Sequence, residues 1–288
     1  MEDEVDGNAV GNKSSHVLKQ TFDFGPWTLT SIKSHILQSK CTSADICNVL
    51  RQNKSIEDSN MEYCTFCRFE KELQLPQLPD MTFANNNLSI KHKDGFGIEF
   101  NCLDALKLVE SKQDLMKVAI AEIWQQARSE CKYAKDVVKP FDWTFTTDYK
   151  GTLLSDGKSL RISETSERID LEKLKVKEKI MFYDDIHLFE DELADNGCAQ
   201  CSVKVRVMQG SFFILLRYFL RIDHVLIRIL DTRIYHECNK NYMLREYTSR
   251  EGKIPDLQVS SSILTNPNEL YQHVPITSSN YEKLEFSI

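Results

Sequence analysis

The chain has 288 residues, 41% hydrophobic and 27% charged, with a net charge of −7. That length buries most of an unfolded chain's surface without covalent staples, and the acidic balance excludes a molecule built throughout for nucleic acid or acidic membranes. The start, Met-Glu-Asp-Glu-Val-Asp, lacks the basic and apolar regions of a signal peptide, and the most apolar run, Phe212–Ile222, contains Arg217 and Arg221 and falls short of a membrane span.

Residues 1–20 are polar and rich in Gly, Asn and Ser, which predicts a disordered tail. Phe22, Phe24 and Trp27 around Gly25-Pro26 mark the start of a fold that runs over residues 21–288. Residues 39–70 lose periodicity and read as an inserted loop, closed by Pro76 and Pro79. Met81–Phe83 and Leu88–Ile90 read as short strands around an Asn-Asn-Asn turn. Gly95–Phe100 alternates as a strand does, and Asn101 with Asp104 three residues on predicts a capped helix to about Ser111. A longer helix is expected over Asp114 to about Cys131, with Pro140 ending the helical section. Phe141–Thr147 reads as a strand with an aromatic face, and Asp170–Lys179 as a charged helical turn or two. From Ile180 to Tyr247 successive antiparallel strands are expected, with a turn at Asp195-Asn196-Gly197. The tail after Ser260, with Pro267 and Pro275, reads as mobile or surface-wrapping. The order predicts a single α+β domain dominated by antiparallel sheet, with a few helices in its first half.

Residues 202–236 form a basic, aromatic-rich hairpin region. Residues 201–250 hold nine Lys/Arg against four Asp/Glu. A two-residue turn at Asp223-His224 sets Arg221 opposite Leu226, Phe219 opposite Arg228 and Arg217 opposite Leu230. Ile214, Leu216, Tyr218, Leu220, Ile222, Val225, Ile227 and Ile229 then share a core face. Leu215, Arg217, Phe219, Arg221, Leu226, Arg228 and Leu230 share the other. Guanidinium groups among large apolar side chains match protein interfaces, and suit an acidic or carboxylate-terminated partner segment. The alternative is that these charges pair within the sheet with acidic residues such as Asp184, Asp185 and Glu190. A third reading uses Arg217, Phe219, Arg221 and Arg228 to stack nucleic-acid bases.

Several strings resemble one family. They include Phe24-Gly25-Pro26-Trp27, Gly95–Asn101, Lys139–Thr152, Leu188–Leu193, Ser202–Met208, Ser211–Asp223, Asp231-Thr232-Arg233 and Tyr242–Glu251. In collinear order over most of residues 22–286, the chain resembles the TOR signalling pathway regulator-like (TIPRL) family. The resemblance implies a single α+β domain and a non-enzymatic regulator in TOR-dependent signalling. It implies binding to the catalytic subunits of type 2A, type 4 and type 6 protein phosphatases, including their C-terminal tail. From the missing signal peptide and membrane run, a cytoplasmic location is expected, with the nucleus as a further one. The positions carried over for partner contact are Asp104, Ile169, Ile229 and Asp231, with Arg228 and Arg233 as basic neighbours. Capping remains the alternative role for Asp104, and core packing for Ile229. Three departures matter: Asp223-His224 replaces the family's usual Asp-Gly turn, Ile229 stands where Met is frequent, and residues 39–70 are an insertion.

No enzymatic motif is present. Gly-x-Gly-x-x-Gly, Gly-x-Ser-x-Gly and His-Glu-x-x-His are all absent, and Lys150-Gly151-Thr152 lacks the upstream part of a phosphate loop. Cys64-x-x-Cys67 and Cys198-x-x-Cys201 raise a zinc site, as does joining Cys41 and Cys47 to the first pair. The spacing is unusual, no His contributes, and the resemblance calls for no metal, so neither metal nor cofactor is expected. Nine cysteines in a reducing compartment are expected as free thiols.

Overall fold

In the computed structural model, residues 17–52, 62–73, 75–109, 143–155, 160–176 and 178–286 are described. Two antiparallel sheets face each other across one core. The smaller sheet has the order β1 (Leu18–Phe24), β2 (Trp27–Lys33), β4 (Asn87–His92), β5 (Gly97–Asn101) and β6 (Thr152–Leu154). The larger runs β3 (Met81–Thr82), β8 (Phe182–Asp191), β9 (Gly197–Val207), β10 (Ser211–Ile222), β11 (Leu226–Glu237), β12 (Tyr242–Lys253), β13 (Ile276–Phe286) and β7 (Leu160–Glu164). The expected α+β class with dominant antiparallel sheet is borne out.

Alternation builds the core. Leu29, Leu88, Ile90, Ile98 and Phe100 from the small sheet meet Val203, Val205, Phe212, Ile214 and Leu216 from the large one, all buried. Trp27 is the largest side chain between the layers, packed edge-on against Phe96, Phe212 and Phe286. Its indole N–H donates to His236 Nε2 at 3.1 Å. His236 Nδ1 lies 2.9 Å from the Tyr242 carbonyl, so the neutral ring with its proton on Nδ1 satisfies both contacts. Burial lowers the His236 pKa, which favours that neutral form.

Several expectations change. The first strand begins at Leu18. The stretch read as a loop, residues 39–70, is instead occupied by two nine-residue helices, α1 (Ala44–Gln52) and α2 (Thr65–Leu73), the second running past its end; each is too short for periodicity to stand out over the cysteines and polar residues around it. The two short strands flanking Asn85-Asn86-Asn87 do not pair, because β3 joins the large sheet and β4 the small one. Phe141–Thr147 is no strand where it is described. Trp143-Thr144 turn, and Thr147 makes an isolated bridge to Val109. The helix expected over Asp114–Cys131 lies outside the described residues. The capped helix is present as α3 (Cys102–Lys107), and the charged turn as α4 (Leu171–Lys175) with Asp170 as its N-cap.

The chain end is no free tail. Residues 276–286 form β13 between β12 and β7, and the preceding stretch, with α5 (Ser261–Leu264) and α6 (Pro267–Leu270), crosses the outer face of the large sheet.

Candidate functional site

The β10–β11 hairpin turns through three residues. Ile222 pairs with Leu226, Val225 N donates to the Ile222 carbonyl at 3.0 Å, and His224 takes φ +62°. A residue in the left-handed region closing a three-residue loop is the geometry that Asp-Gly would otherwise supply in two. The expected register is therefore off by one, and a slip of one exchanges the faces of β11. Leu226, Leu230 and Ile234 face the main core with Leu220, Tyr218 and Ile214. Ile227 and Ile229 lie on the outer face opposite Arg221 and Phe219, which corrects their placement on the core face. Exposed Val225 belongs to the loop.

The outer face is laid out in rows. At one end Ile169, Phe213, Tyr235 and Leu244 form an apolar cluster, with Leu174 of α4 against it. Ile169 is 4% exposed, and its N–H donates to Glu246 Oε1 at 2.7 Å. At the other end Phe219, Ile227 and Ile229 are covered by Leu257, Leu270 and Val274 from the crossing segment.

Between them lies a charged belt. Asp231 is 1% exposed and is held from two sides. Arg217 donates from Nε to Oδ1 at 2.7 Å and from Nη2 to Oδ2 at 2.8 Å, and Arg233 Nη2 donates to Oδ2 at 2.9 Å. Arg217 Nη1 reaches Asn268 Oδ1 at 2.9 Å. Arg250 donates to the Val274 carbonyl at 2.6 Å, while its Nε is buried without a hydrogen-bond partner among the described residues. The Tyr271 ring sits within 5.5–5.7 Å of all three guanidinium carbons, a cation–π distance. Burial, then the Arg233 and Arg217 charges, hold the Arg250 pKa below its ordinary value, against the pull of Asp231. Three cations thus share this face with two buried carboxylates, Asp231 and, directly across from Arg233 on β12, Glu246.

The structure brings Ile169, Ile229, Asp231 and Arg233 onto this face. It does not place Arg228 there. Arg228 has the parity of Leu226 and Leu230, and it pairs with Glu251 at 2.7 Å and with Thr146 Oγ1 at 2.9 Å. Asp104 stands apart on α3, where its backbone N–H donates to the Asn101 N-cap at 2.8 Å. Its carboxylate accepts from Asn101 Nδ2 and from Thr152 Oγ1 at 2.6 Å. The capping role is therefore filled, and the side chain remains 30% exposed.

The open arginine face does not exist as drawn from the sequence. Lys204 pairs with Asp185, Arg221 with Asp223, Lys240 with Glu167 and Arg245 with Glu282. The reading in which charges pair within the sheet describes most of them. Phe219 is 5% exposed under the crossing segment, out of reach of a nucleic-acid base. Sequence reasoning missed Arg250, Asn268 and Tyr271. The last two lie in a stretch whose polar character conceals that Leu270 and Val274 anchor it.

These features define a two-sheet α+β protein whose larger sheet carries a cation-rich belt beneath its crossing C-terminal segment. Comparison with known proteins narrows the class. The TIP41-like family model matches residues 81–258. The Homo sapiens TIP41-like protein is 50% identical over 277 residues, covering 96% of this chain and 92% of its own length. The Caenorhabditis elegans TIP41-like protein is 38% identical over 285 residues, 98% of this chain and 95% of its own. A Saccharomyces cerevisiae relative, named type 2A phosphatase activator TIP41, is 37% identical over 233 residues, 73% of this chain and 65% of its own. The chain belongs to the TIP41-like family, as the resemblance implied.

Proposed function

We propose that this chain is a non-enzymatic regulator that binds type 2A-like protein phosphatase catalytic subunits, including types 4 and 6, and acts in TOR signalling in the cytoplasm and nucleus. The name of the Saccharomyces cerevisiae relative, type 2A phosphatase activator TIP41, supports the first part. The observation that carries the reading is the belt in which Arg217, Arg233 and Arg250 share one face with the carboxylates of Asp231 and Glu246, three cations against two anions. The surplus of positive charge suits an acidic segment or a terminal carboxylate, as at the phosphatase C-terminal tail.

In this reading the carried-over residues divide by role. Arg233 and Arg250 meet the partner. Asp231 holds Arg217 and Arg233 in place. Ile229 seats the crossing segment, and Ile169 the neighbouring apolar cluster. A cleft of about 890 Å³ beside Tyr235 extends the surface past that cluster. Asp104 and Arg228 belong to a second contact at the edge formed by α3 and residues 143–155.

The test is binding of a purified type 2A catalytic subunit, with and without its C-terminal tail, to wild type and to Arg233→Glu and Arg250→Glu. Tight wild-type binding, weakened at least about tenfold by either reversal, is expected, since a lost charge-assisted contact is worth on the order of 1.5–3 kcal/mol. A well-folded wild type that fails to bind overturns the proposal.

A further inference from the structure

Residues 41–67 gather four thiols. Cys41 precedes α1, and Cys47 lies in that helix's first turn. Cys64 precedes α2, and Cys67 lies in its first turn. All four sulfurs fall within 4.8 Å of one another. Cys47 and Cys67 are buried, and Cys41 and Cys64 half-buried. The Cys41 and Cys64 sulfurs are 3.8 Å apart. A disulfide needs about 2.05 Å. Tetrahedral zinc with bonds of about 2.3 Å sets its sulfurs about 3.8 Å apart. The Cys64 N–H also donates to Cys47 Sγ at 3.4 Å, an outer-shell bond of the kind that steadies a thiolate ligand. We infer that Cys41, Cys47, Cys64 and Cys67 form a structural tetrathiolate zinc site.

The surroundings give the site a purpose. α1 has nine residues, below the length at which an isolated helix holds in water, and Ile46 on it is exposed. Cys47 is its buried anchor among the residues whose side chains are described. α2 is fixed independently, through buried Phe69 and a Glu72–Lys107 ion pair of 2.8 Å to α3. A metal shared between the pairs fastens α1 to α2, and so to the body of the protein. Four protein ligands close the coordination sphere, which makes the site structural rather than catalytic. The second C-x-x-C pair shows the contrast. Cys198 and Cys201 lie three apart on β9, so their side chains leave opposite faces of the strand.

The reading is independent of the phosphatase proposal. The full chain, expressed with zinc in the medium and purified under reductant, is expected to hold about one zinc per chain by elemental analysis. Cys64→Ser with Cys67→Ser is expected to lose it, and Cys198→Ser with Cys201→Ser to keep it. Where the first pair impairs folding, wild type decides. Cobalt in place of zinc is expected to give intense tetrahedral thiolate absorption, and chelation to open Cys41, Cys47, Cys64 and Cys67 to alkylation mapped by mass spectrometry. Wild type without zinc and without that cobalt spectrum overturns the inference. So does zinc retained by Cys64→Ser/Cys67→Ser, or a Cys41–Cys64 disulfide in the metal-free protein.

Discussion

Removing the Asp231 carboxylate separates what the belt does for the fold from what it does for a partner. In Asp231→Ala the Arg217 and Arg233 guanidiniums, at 9% and 14% side-chain exposure, lose their counter-ion. Breaking a buried ion pair from one side costs about 3–5 kcal/mol. Arg217 keeps its bond to Asn268, and both arginines keep some water, so the lower figure applies: about 3 kcal/mol. At about 2–4 °C per kcal/mol for a protein approaching this size, the melting temperature falls by about 6–12 °C. Thermal unfolding by circular dichroism reads this directly. The companion is Arg217→Met/Asp231→Leu/Arg233→Met, which replaces the network by apolar groups of similar volume. It is expected to recover most of the loss, because desolvating three charges costs about as much as their pairing returns. It should still fail to bind phosphatase. A cost below about 1 kcal/mol for Asp231→Ala refutes the burial argument. A stable triple variant with wild-type affinity refutes recognition by charge.

Two further outcomes follow from the structure. Burial pushes the Glu167 pKa up, but Tyr242, Lys240 and Lys283 outweigh it and hold the carboxyl at about 2, below its ordinary 4.5. The stability it contributes is present above 4.5 and lost as pH falls toward 2, so a gap between wild type and Glu167→Gln in urea titrations should close over that window. At this exposure the gap is about 1 kcal/mol or less, and one that persists at low pH contradicts the assignment. Leu270→Ala removes a fully buried anchor of the crossing segment, for about 2–4 kcal/mol. Hydrogen exchange should then rise over residues 254–275 and phosphatase affinity should fall with it; unchanged exchange there shows that Leu270 does not hold the segment.

The strands between Ile180 and Tyr247 were legible because alternation survives there, as were the Asn101 cap and the turn near Gly197, whereas β13 was read as tail and Phe141–Thr147 as a strand it does not form. The grouping of Cys41 and Cys47 with Cys64 and Cys67 was raised from the sequence but set aside, because no local spacing supported it. Its pairs are separated by a whole helix and by residues outside the described structure, and ligand spacing is diagnostic only when a short loop carries it. The crossing segment was hidden for a related reason: Leu257, Leu270 and Val274 are scattered among polar residues, and their burial depends on a sheet face that no local window contains.

The register of one turn governs the rest. Asp223-His224 suggests two residues, and the added Val225 exchanges the two faces of β11. With two, Ile229 is core and Arg228 joins an open cationic face. With three, Arg228 drops to the inner parity beside Thr146, while Asp231 and Arg233 come up opposite Arg217 and Leu215. The parity that buries Ile227 and Ile229 under the C-terminal segment also sets Asp231 between Arg217 and Arg233, because Ile227, Ile229, Asp231 and Arg233 alternate along β11 and Arg217 stands opposite Asp231 on β10. The apolar anchor and the charged belt are therefore one structural decision. A substitution that restores a two-residue turn would disturb both together, while Arg233 and Arg250 can be reversed singly with the sheet left in register.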